Sequence, residues 1–168
     1  MKKKIFMLKK LYRDFYSSPS PSNYDFGSIL KYYYFKFEND PNKLNRLIAE
    51  YDGNGIPMNK SYIDVKDARL HYYPISIGQY GLAVFHDWLD TKKEKDRLQF
   101  IRIADWFKNS SIQDSKLGTF WLTDIPKPEF NVYQPWKSAF SQSRGISLGL
   151  RAYQLTNNFE YYEMAKGV

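Results

Sequence analysis

A stretch in which an extended segment with two tyrosines leads into a helix holds the side chains best suited to catalysis or ligand binding. It runs from Arg69 to Trp88 and reads RLHYYPISIGQYGLAVFHDW. Proline biases the residue before it toward extended backbone, so Tyr73 is predicted to be extended. From Ile77 onward the apolar residues recur at the spacing of one helical face. Gln79 and Tyr80 are predicted to lie in the first turn of this helix, where unpaired backbone N–H groups attract anions. Together with Tyr72 and Tyr73, which precede the helix, they are the polar candidates of this stretch.

Two interpretations of these tyrosines stay open. Tyrosine joins an apolar ring to a hydroxyl group, so it suits stacking on a sugar ring and hydrogen bonding to it. The chain has 15 tyrosines, and aromatic residues make up 18% of it. Large aromatic side chains are, however, mostly buried, and these rings could simply pack between an extended segment and the helix.

A second stretch, from Trp136 to Thr156, reads WKSAFSQSRGISLGLRAYQLT and supplies amide and cationic groups. Its small residues follow Gln142 along one face of a predicted helix: Gly145, Gly149 and Ala152. Each glycine costs a helix about 1 kcal/mol relative to alanine, so two of them indicate a special role. We favour close helix packing at Gly149, whereas near Gln142 and Gly145 the approach of a ligand is the alternative.

The four tryptophans divide by their predicted positions. Trp121 and Trp136 fall in predicted loops beside this helix, where an indole ring suits a carbohydrate platform. Trp88 and Trp106 fall within predicted helices and are expected in the core.

Both stretches resemble the D-glucuronyl C5-epimerase C-terminal domain family. The run YYPISIGQYGL is similar to the family's YPI-x-I-x-QYGL motif. The run WKSAFSQSRGIS is similar to its W-x-SAMAQGQAIS, and LGLRAYQLT to its L-x-RAY-x-LT. The likeness extends from about Ile56 to the last residue, with one departure: the family's AQGQ is replaced by Ser141-Gln142-Ser143-Arg144.

The resemblance implies C5 epimerisation of uronic acids in heparan-type or other glycosaminoglycan-like polymers, inside an α/α toroid and without a cofactor. Removing a proton next to a carboxylate and returning it on the other face needs two acid–base groups, and cations that stabilise the negative charge. The family is thought to use tyrosines and a glutamate, most of them in a later part of its domain. In this chain the candidates for catalysis are therefore Tyr72, Tyr73 and Tyr80.

The residues that the resemblance identifies in this chain are mainly ones that would bind the substrate. The predicted substrate-binding residues are Arg69, Gln79, Trp121, Trp136, Lys137, Gln142 and Arg144. Lys137, Arg144 and Arg69 are the cations that could bind a uronate carboxylate. Arg144 could do so through two parallel hydrogen bonds. Alternatively, it indicates a changed substrate or is a solvated side chain.

Two other functions remain open at this point. A polysaccharide lyase or glycuronyl hydrolase on a similar toroid would share the abstraction of the C5 proton, and a lyase would then expel the C4 oxygen. A glycan-binding domain without catalysis would bind uronate with no exchange at C5. The predicted partner in each case is an acidic uronate-containing polysaccharide, and a homodimer is an open alternative.

The amino-acid composition restricts the classes of protein to which this chain could belong. The chain has 168 residues, 43% of them hydrophobic, and a net charge of +7, which favours acidic partners. Cysteine is absent, and the two histidines, His71 and His86, accompany no ligand motif, so no metal site is expected. No nucleic-acid partner is expected. We see no apolar run that would span a bilayer and no export signal, so the predicted compartment is the cytoplasm or stays unknown.

The predicted fold is mainly helical with a small β portion. Residues 1–23 are predicted to form an amphipathic helix, docked on the domain, and a linker; binding of this helix to a membrane surface is the alternative. Residues 24–73 are predicted to form a short aromatic β-rich segment. Residues 74–168 follow as two antiparallel helical hairpins, part of an incomplete α/α toroid. Because two hairpins cannot close a toroid, the sequence predicts the N-terminal portion of a longer protein; a small complete helical domain is the alternative.

Overall fold

The structure is a computed structural model, and it describes residues 48–61 and 69–168 without interruption. Single positions are described before them: Ile5, Leu8, Lys9, Leu11, Tyr12, Phe15, Tyr16, Phe37 and Asn39. The chain divides into two units, Met1–Lys36 and Phe37–Val168. The three-part division expected from the sequence stays a prediction.

In the first unit, the described residues are helical and exposed. Tyr12 and Tyr16 lie on neighbouring turns, with ring centres 4.6 Å apart. A helix at these positions agrees with the amphipathic pattern, whereas its docking on the domain stays a prediction. The expected linker at 17–23, most of the aromatic run at 32–37 and the expected strand at 62–65 lie outside the described residues.

Four helices dominate the described part of the second unit. They are α1 (Pro74–Thr91), α2 (Glu94–Ser110), α3 (Ala139–Thr156) and α4 (Phe159–Lys166). Connections of two residues turn α2 back along α1 and α4 back along α3, which gives the two expected hairpins. The mainly helical class is confirmed, and the toroid stays a prediction.

Helix α1 begins earlier than the apolar spacing indicated. Pro74 occupies its first position, where proline needs no N–H and its fixed φ suits the helix. The N–H of Ile77 already donates to the carbonyl of Tyr73, at 3.0 Å. Gln79 and Tyr80 therefore lie in the second turn, so the expectation that they face unpaired N–H groups was wrong.

Small antiparallel sheets complete the described part of this unit. One contains β1 (Glu50–Tyr51), β2 (Pro57–Lys60) and β3 (Leu70–Tyr72), with Met58 paired to Tyr72. The second pairs β4 (Ile112–Asp114) with β5 (Gly118–Phe120), and the third pairs β6 (Leu122–Thr123) with β7 (Trp136–Lys137). A short 3₁₀ helix covers Pro128–Phe130.

The core lies where α1, α2 and α3 meet. Its fully buried large side chains include Ile77, Leu82, Phe85, Phe100, Ile103, Phe107 and Leu148. The rings of Phe85 on α1 and Phe100 on α2 have centres 4.7 Å apart. This packing holds the end of β3 and the start of α1 beside α2. None of the helices described in the structure is long and apolar enough to cross a membrane.

Candidate functional site

A cleft of about 290 Å³ opens where β3 runs into α1, beside α2 and β6. Its polar and aromatic lining consists of Arg69, His71, Tyr72, Trp106, Ser110, Trp121 and Asp124. Three of these were predicted from the sequence, namely Arg69, Tyr72 and Trp121. The cleft is near the lower limit of ligand pockets in general, which run from about 300 to 1,000 Å³.

Tyr72 and Trp106 form the aromatic wall of the cleft. Tyr72 lies on β3 and is 42% exposed, and its ring centre is 5.7 Å from that of Trp106 at an interplanar angle of 39°. Trp106 is half-buried on α2. It was expected in the core, and its place in the cleft lining corrects that expectation. Two adjacent aromatic faces, partly open to solvent, suit the apolar face of a sugar ring.

The β1–β2 turn holds the Tyr72 hydroxyl. Tyr72 donates to Oδ2 of Asp52 at 2.8 Å, while Oδ1 of Asp52 accepts the backbone N–H groups of Asn54 and Ile56. Partial burial acts to raise the pKa of Asp52, but these three hydrogen bonds outweigh it and lower that pKa. The hydrogen bond to Asp52 and burial raise the pKa of Tyr72. At neutral pH, Tyr72 is therefore a protonated hydroxyl.

The charged groups of the cleft are Arg69 and Asp124. Arg69 lines the cleft, and its role in binding a carboxylate stays a prediction. His71 is buried, and its Nε2 lies 2.8 Å from the Ser61 hydroxyl, so one ring nitrogen takes part in a hydrogen bond within the fold. The described residues contain no group of three or more side chains that could hold a metal ion.

Tyr73 and Tyr80, the other two candidates for catalysis, do not line the cleft. Tyr73 is half-buried and precedes the first residue of α1. Tyr80 is half-buried further along α1, with its ring centre 5.4 Å from that of Tyr51. Burial, assisted by the charges of Asp96 and Asp87 and by Tyr51, raises the pKa of Tyr80 to about 12. A phenol with that pKa stays protonated at neutral pH and makes a poor base.

Trp121 supports the fold, and it does not provide the expected platform. Its side chain is 1% exposed, and its indole N–H donates to the carbonyl of Phe107 at 2.7 Å. The ring lies directly against Gly145, where a Cβ would collide with it. The small residue at Gly145 thus makes room for Trp121, which explains it without a ligand. The expectation of an exposed ring at Trp121 was wrong because loop position alone does not determine burial.

Gln142 joins α3 to the segment between β5 and β6. Its Oε1 accepts the backbone N–H of Trp121, and its Nε2 donates to the carbonyls of Trp121 and Ser138, all at 3.0 Å. Every polar atom of its amide therefore has a partner within the fold. Gln79, the other predicted amide, is half-buried on α1 and outside the cleft lining.

Trp136 and Lys137 lie on β7, away from the cleft lining. Trp136 is half-buried and donates its indole N–H to the Ile125 carbonyl at 2.9 Å. Lys137 is exposed, and its Nζ lies 3.5 Å from the centre of the Phe120 ring. The structure does not bring these two residues together with Tyr72.

Arg144 lies on α3 at the point where this helix passes α1. It is half-buried, and burial lowers the pKa of its guanidinium group. Its Nε is buried and has no hydrogen-bond partner within the described part of the chain. Arg144 is not part of the cleft lining, so the predicted cations lie in separate places.

Comparison with known families adds one finding. Residues 117–168 match the model of a family described as D-glucuronyl C5-epimerase C-terminus. This is the family that the two motifs resemble, and the matched segment, just under a third of the chain, contains the second of them. The YYPISIGQYGL stretch lies outside it. No curated protein and no solved structure matches the chain.

Sequence reasoning missed three residues of the site, namely Trp106, Asp52 and Asp124. Asp52 stands in an Asp-Gly-Asn-Gly turn, and its contact with Tyr72 spans 20 residues. Trp106 stands on the second helix and was expected in the core. No local signal connects either residue to Tyr72, because the contacts depend on how β3 and α2 pack.

Proposed function

We propose that this chain belongs to a glucuronyl C5-epimerase-like protein, and that its cleft binds a uronate-containing polysaccharide. The family match over residues 117–168 supports the epimerase class. The observation that carries the site is the Tyr72–Trp106 wall in a cleft that Arg69 also lines. An aromatic wall would stack on the sugar, and a guanidinium group would pair with the carboxylate of the uronate.

The reaction breaks the C5–H bond, leaves a carbanion stabilised by the neighbouring carboxylate, and forms a new C5–H bond on the opposite face. It needs one group that accepts a proton and one that donates it. Tyr72 and Tyr80 have raised pKa values and are protonated at neutral pH. They suit hydrogen bonding to the sugar or the return of a proton better than its abstraction.

The same observation favours a second candidate function, which is glycan binding without catalysis. A binding domain needs the aromatic wall and the cation, and it needs no base. The two functions make different predictions for hydrogen exchange at C5, although they make the same one for binding.

Solvent deuterium incorporation at C5 of a glucuronate polymer separates these functions. Exchange by the 168-residue chain supports an epimerase with its acid–base set in this sequence. Binding without exchange supports the glycan-binding function. An unsaturated product that absorbs in the near ultraviolet would instead indicate a lyase. If the polymer does not bind at all, the proposal is wrong.

The variant Trp106→Ala tests the position of the site. It removes one face of the aromatic wall and should weaken binding by roughly fivefold, since such a contact contributes about 1 kcal/mol. The matched control is Trp88→Ala, because Trp88 is also a half-buried helical tryptophan but lies outside the cleft lining. Equal binding by both variants and the unchanged chain, with circular dichroism showing intact folding, would place the site elsewhere.

A further inference from the structure

Arg144 makes an unusual contact with α1. Its side chain lies across Gly78, and a Cβ at that glycine would be 2.8 Å from Cγ of Arg144 and 3.2 Å from its Cδ. Any larger residue at position 78 would therefore displace the arginine. The missing side chain at Gly78 gives the stem of Arg144 a fixed path toward the surface of α1.

The guanidinium group of Arg144 lies near the ring of Phe37. The guanidinium carbon of Arg144 is 5.0 Å from the centre of the Phe37 ring. Phe37 is held in turn by α1, because its backbone N–H donates to Nδ1 of His86 at 3.1 Å and its ring stacks on the imidazole at an angle of 8°. The stem of Arg144 thus lies against Gly78, and its guanidinium group lies over an aromatic ring.

The charge of Arg144 is not balanced inside the described part of the chain. No carboxylate there forms an ion pair with it, and its buried Nε has no hydrogen-bond partner. Arg97 pairs with Glu94 at 2.9 Å. Arg151, also on α3, likewise has a buried Nε with no hydrogen bond among the described residues, but its Nη1 donates to the Ser147 carbonyl at 3.0 Å. A partly desolvated cation held in one orientation gains more from an external anion than a solvated one does.

We propose that Arg144 binds a carboxylate of the uronate polymer at a second subsite, outside the lining of the cleft. This inference rests on the proposed function. A planar guanidinium group suits a carboxylate because it can donate two parallel hydrogen bonds to the two oxygens. A polymer that carries a carboxylate on every second sugar can engage two such sites along one chain. Arg144, which the sequence predicted to bind substrate, is thereby assigned to a specific subsite at the crossing of α1 and α3.

Two substitutions at Arg144 test the subsite through the affinity of a glucuronate oligosaccharide. Arg144→Met keeps the apolar stem on Gly78 and removes the charge, so it should weaken binding about tenfold. Arg144→Lys keeps the charge but loses the paired geometry, and it should retain part of the affinity. The matched control is Arg151→Met, which removes a positive charge from the same helix and should leave the affinity unchanged.

The ligand is varied in parallel with the protein. A carboxyl-reduced oligosaccharide of the same length should bind the Arg144→Met variant and the unchanged chain equally well. If a sulfate ester on that neutral oligosaccharide restores the difference, the subsite recognises anions in general, and the assignment to carboxylate is overturned.

The outcomes separate this inference from the proposed function. If the unchanged chain binds the uronate oligosaccharide and Arg144→Met binds it equally tightly, the subsite is refuted while the proposed function stands. If Arg151→Met weakens binding as much as Arg144→Met, the effect is one of net charge and the subsite is also refuted. If the unchanged chain does not bind the oligosaccharide, both proposals fail. Thermal melting of each variant identifies any loss of affinity that comes from unfolding.

Discussion

The hairpin α1–α2 and the hairpin α3–α4 share the same turn but pack in different ways. In each, the residue after the first helix adopts a left-handed conformation, Lys92 and Asn157 both having φ of 56°. In each, the N–H of that residue donates to the carbonyl four residues earlier, at 2.8 and 2.7 Å. The left-handed residue ends the first helix and reverses the chain.

The two hairpins differ in how their helices pack. The first is filled by large side chains, such as Phe85 against Phe100. In the second, α3 brings Gly149 against the backbone carbonyl of Tyr161, where a Cβ would lie 2.8 Å from the oxygen. The comparison shows that one local turn can serve two kinds of interface. Both hairpins contain a close-packed glycine, but Gly81 of the first faces side-chain methyl groups, whereas Gly149 of the second also faces a backbone carbonyl.

The largest expected effect comes from Gly149→Ala. In an isolated helix this change would be favourable by about 1 kcal/mol. Here the added methyl group meets the Tyr161 backbone, which cannot move aside as a side chain can. We therefore expect the free energy of unfolding, measured by urea titration, to fall by about 1–3 kcal/mol.

Two other glycines provide controls for that experiment. Gly53→Ala meets nothing within 4 Å and should change stability little. Gly81→Ala, in the first hairpin, meets side-chain methyl groups of Ile103 and Leu148 and should cost less than Gly149→Ala. If Gly149→Ala stabilises the protein, the second hairpin does not depend on backbone contact and the comparison fails.

The second expected effect depends on pH and concerns Tyr80 of the first hairpin. Below pH 10 the phenol is protonated in both the folded and the unfolded chain. Between pH 10 and 12 the unfolded chain loses this proton first, because burial raises the folded-state pKa of Tyr80 to about 12. Stability should fall over this interval, and the Tyr80→Phe variant should lose about 1–2 kcal/mol less, allowing for solvent screening.

Tyr161 of the second hairpin is the comparison for this measurement. Burial and a 2.7 Å hydrogen bond to Asp105 raise its pKa as well. Tyr161→Phe should therefore also flatten the alkaline loss, but unlike Tyr80→Phe it gives up a hydrogen bond to a carboxylate at neutral pH. Identical alkaline curves for the unchanged chain and Tyr80→Phe would show that the phenol of Tyr80 is not desolvated.

The smallest expected effect lies in the shared turn. Lys92→Gly removes the steric cost of a left-handed lysine and should stabilise the protein by about 0.5 kcal/mol. Part of the gain is lost with the contact of Lys92 Nζ over the Trp88 ring, at 4.3 Å. Asn157→Gly should gain less, because asparagine tolerates this conformation better. Thermal denaturation of both variants tests the difference, and a larger gain from Asn157→Gly would contradict it.

The hairpins could be predicted from the sequence because their signals are local. The sequence predicted two helical hairpins over residues 74–168, and the structure has four helices there. The start of α1 was predicted three residues late, because proline at a first helical position was read as a break. The family resemblance also came from local motifs, and the match over residues 117–168 confirms it for that segment.

The candidate site was predicted only in part, and the tryptophans show why. Trp121 was expected to be an exposed platform and is buried, whereas Trp106 was expected in the core and is half-buried in the cleft lining. Local sequence indicates which element a residue belongs to, but the exposure of a large ring depends on distant neighbours. Phe107 and Gly145 enclose Trp121 from two different helices.

The sequence by itself determined the helical class, the two helical hairpins and the family resemblance, because each depends on residues within a few positions of one another. Only the tertiary structure placed Tyr72 beside Trp106 and tied it to Asp52, because those contacts join β3 to α2 and to the β1–β2 turn. It also separated Arg69 in the cleft from Arg144 at the crossing of α1 and α3. The physical reason is that side-chain burial and pairing are properties of packed surfaces, and those surfaces form between elements far apart in the chain.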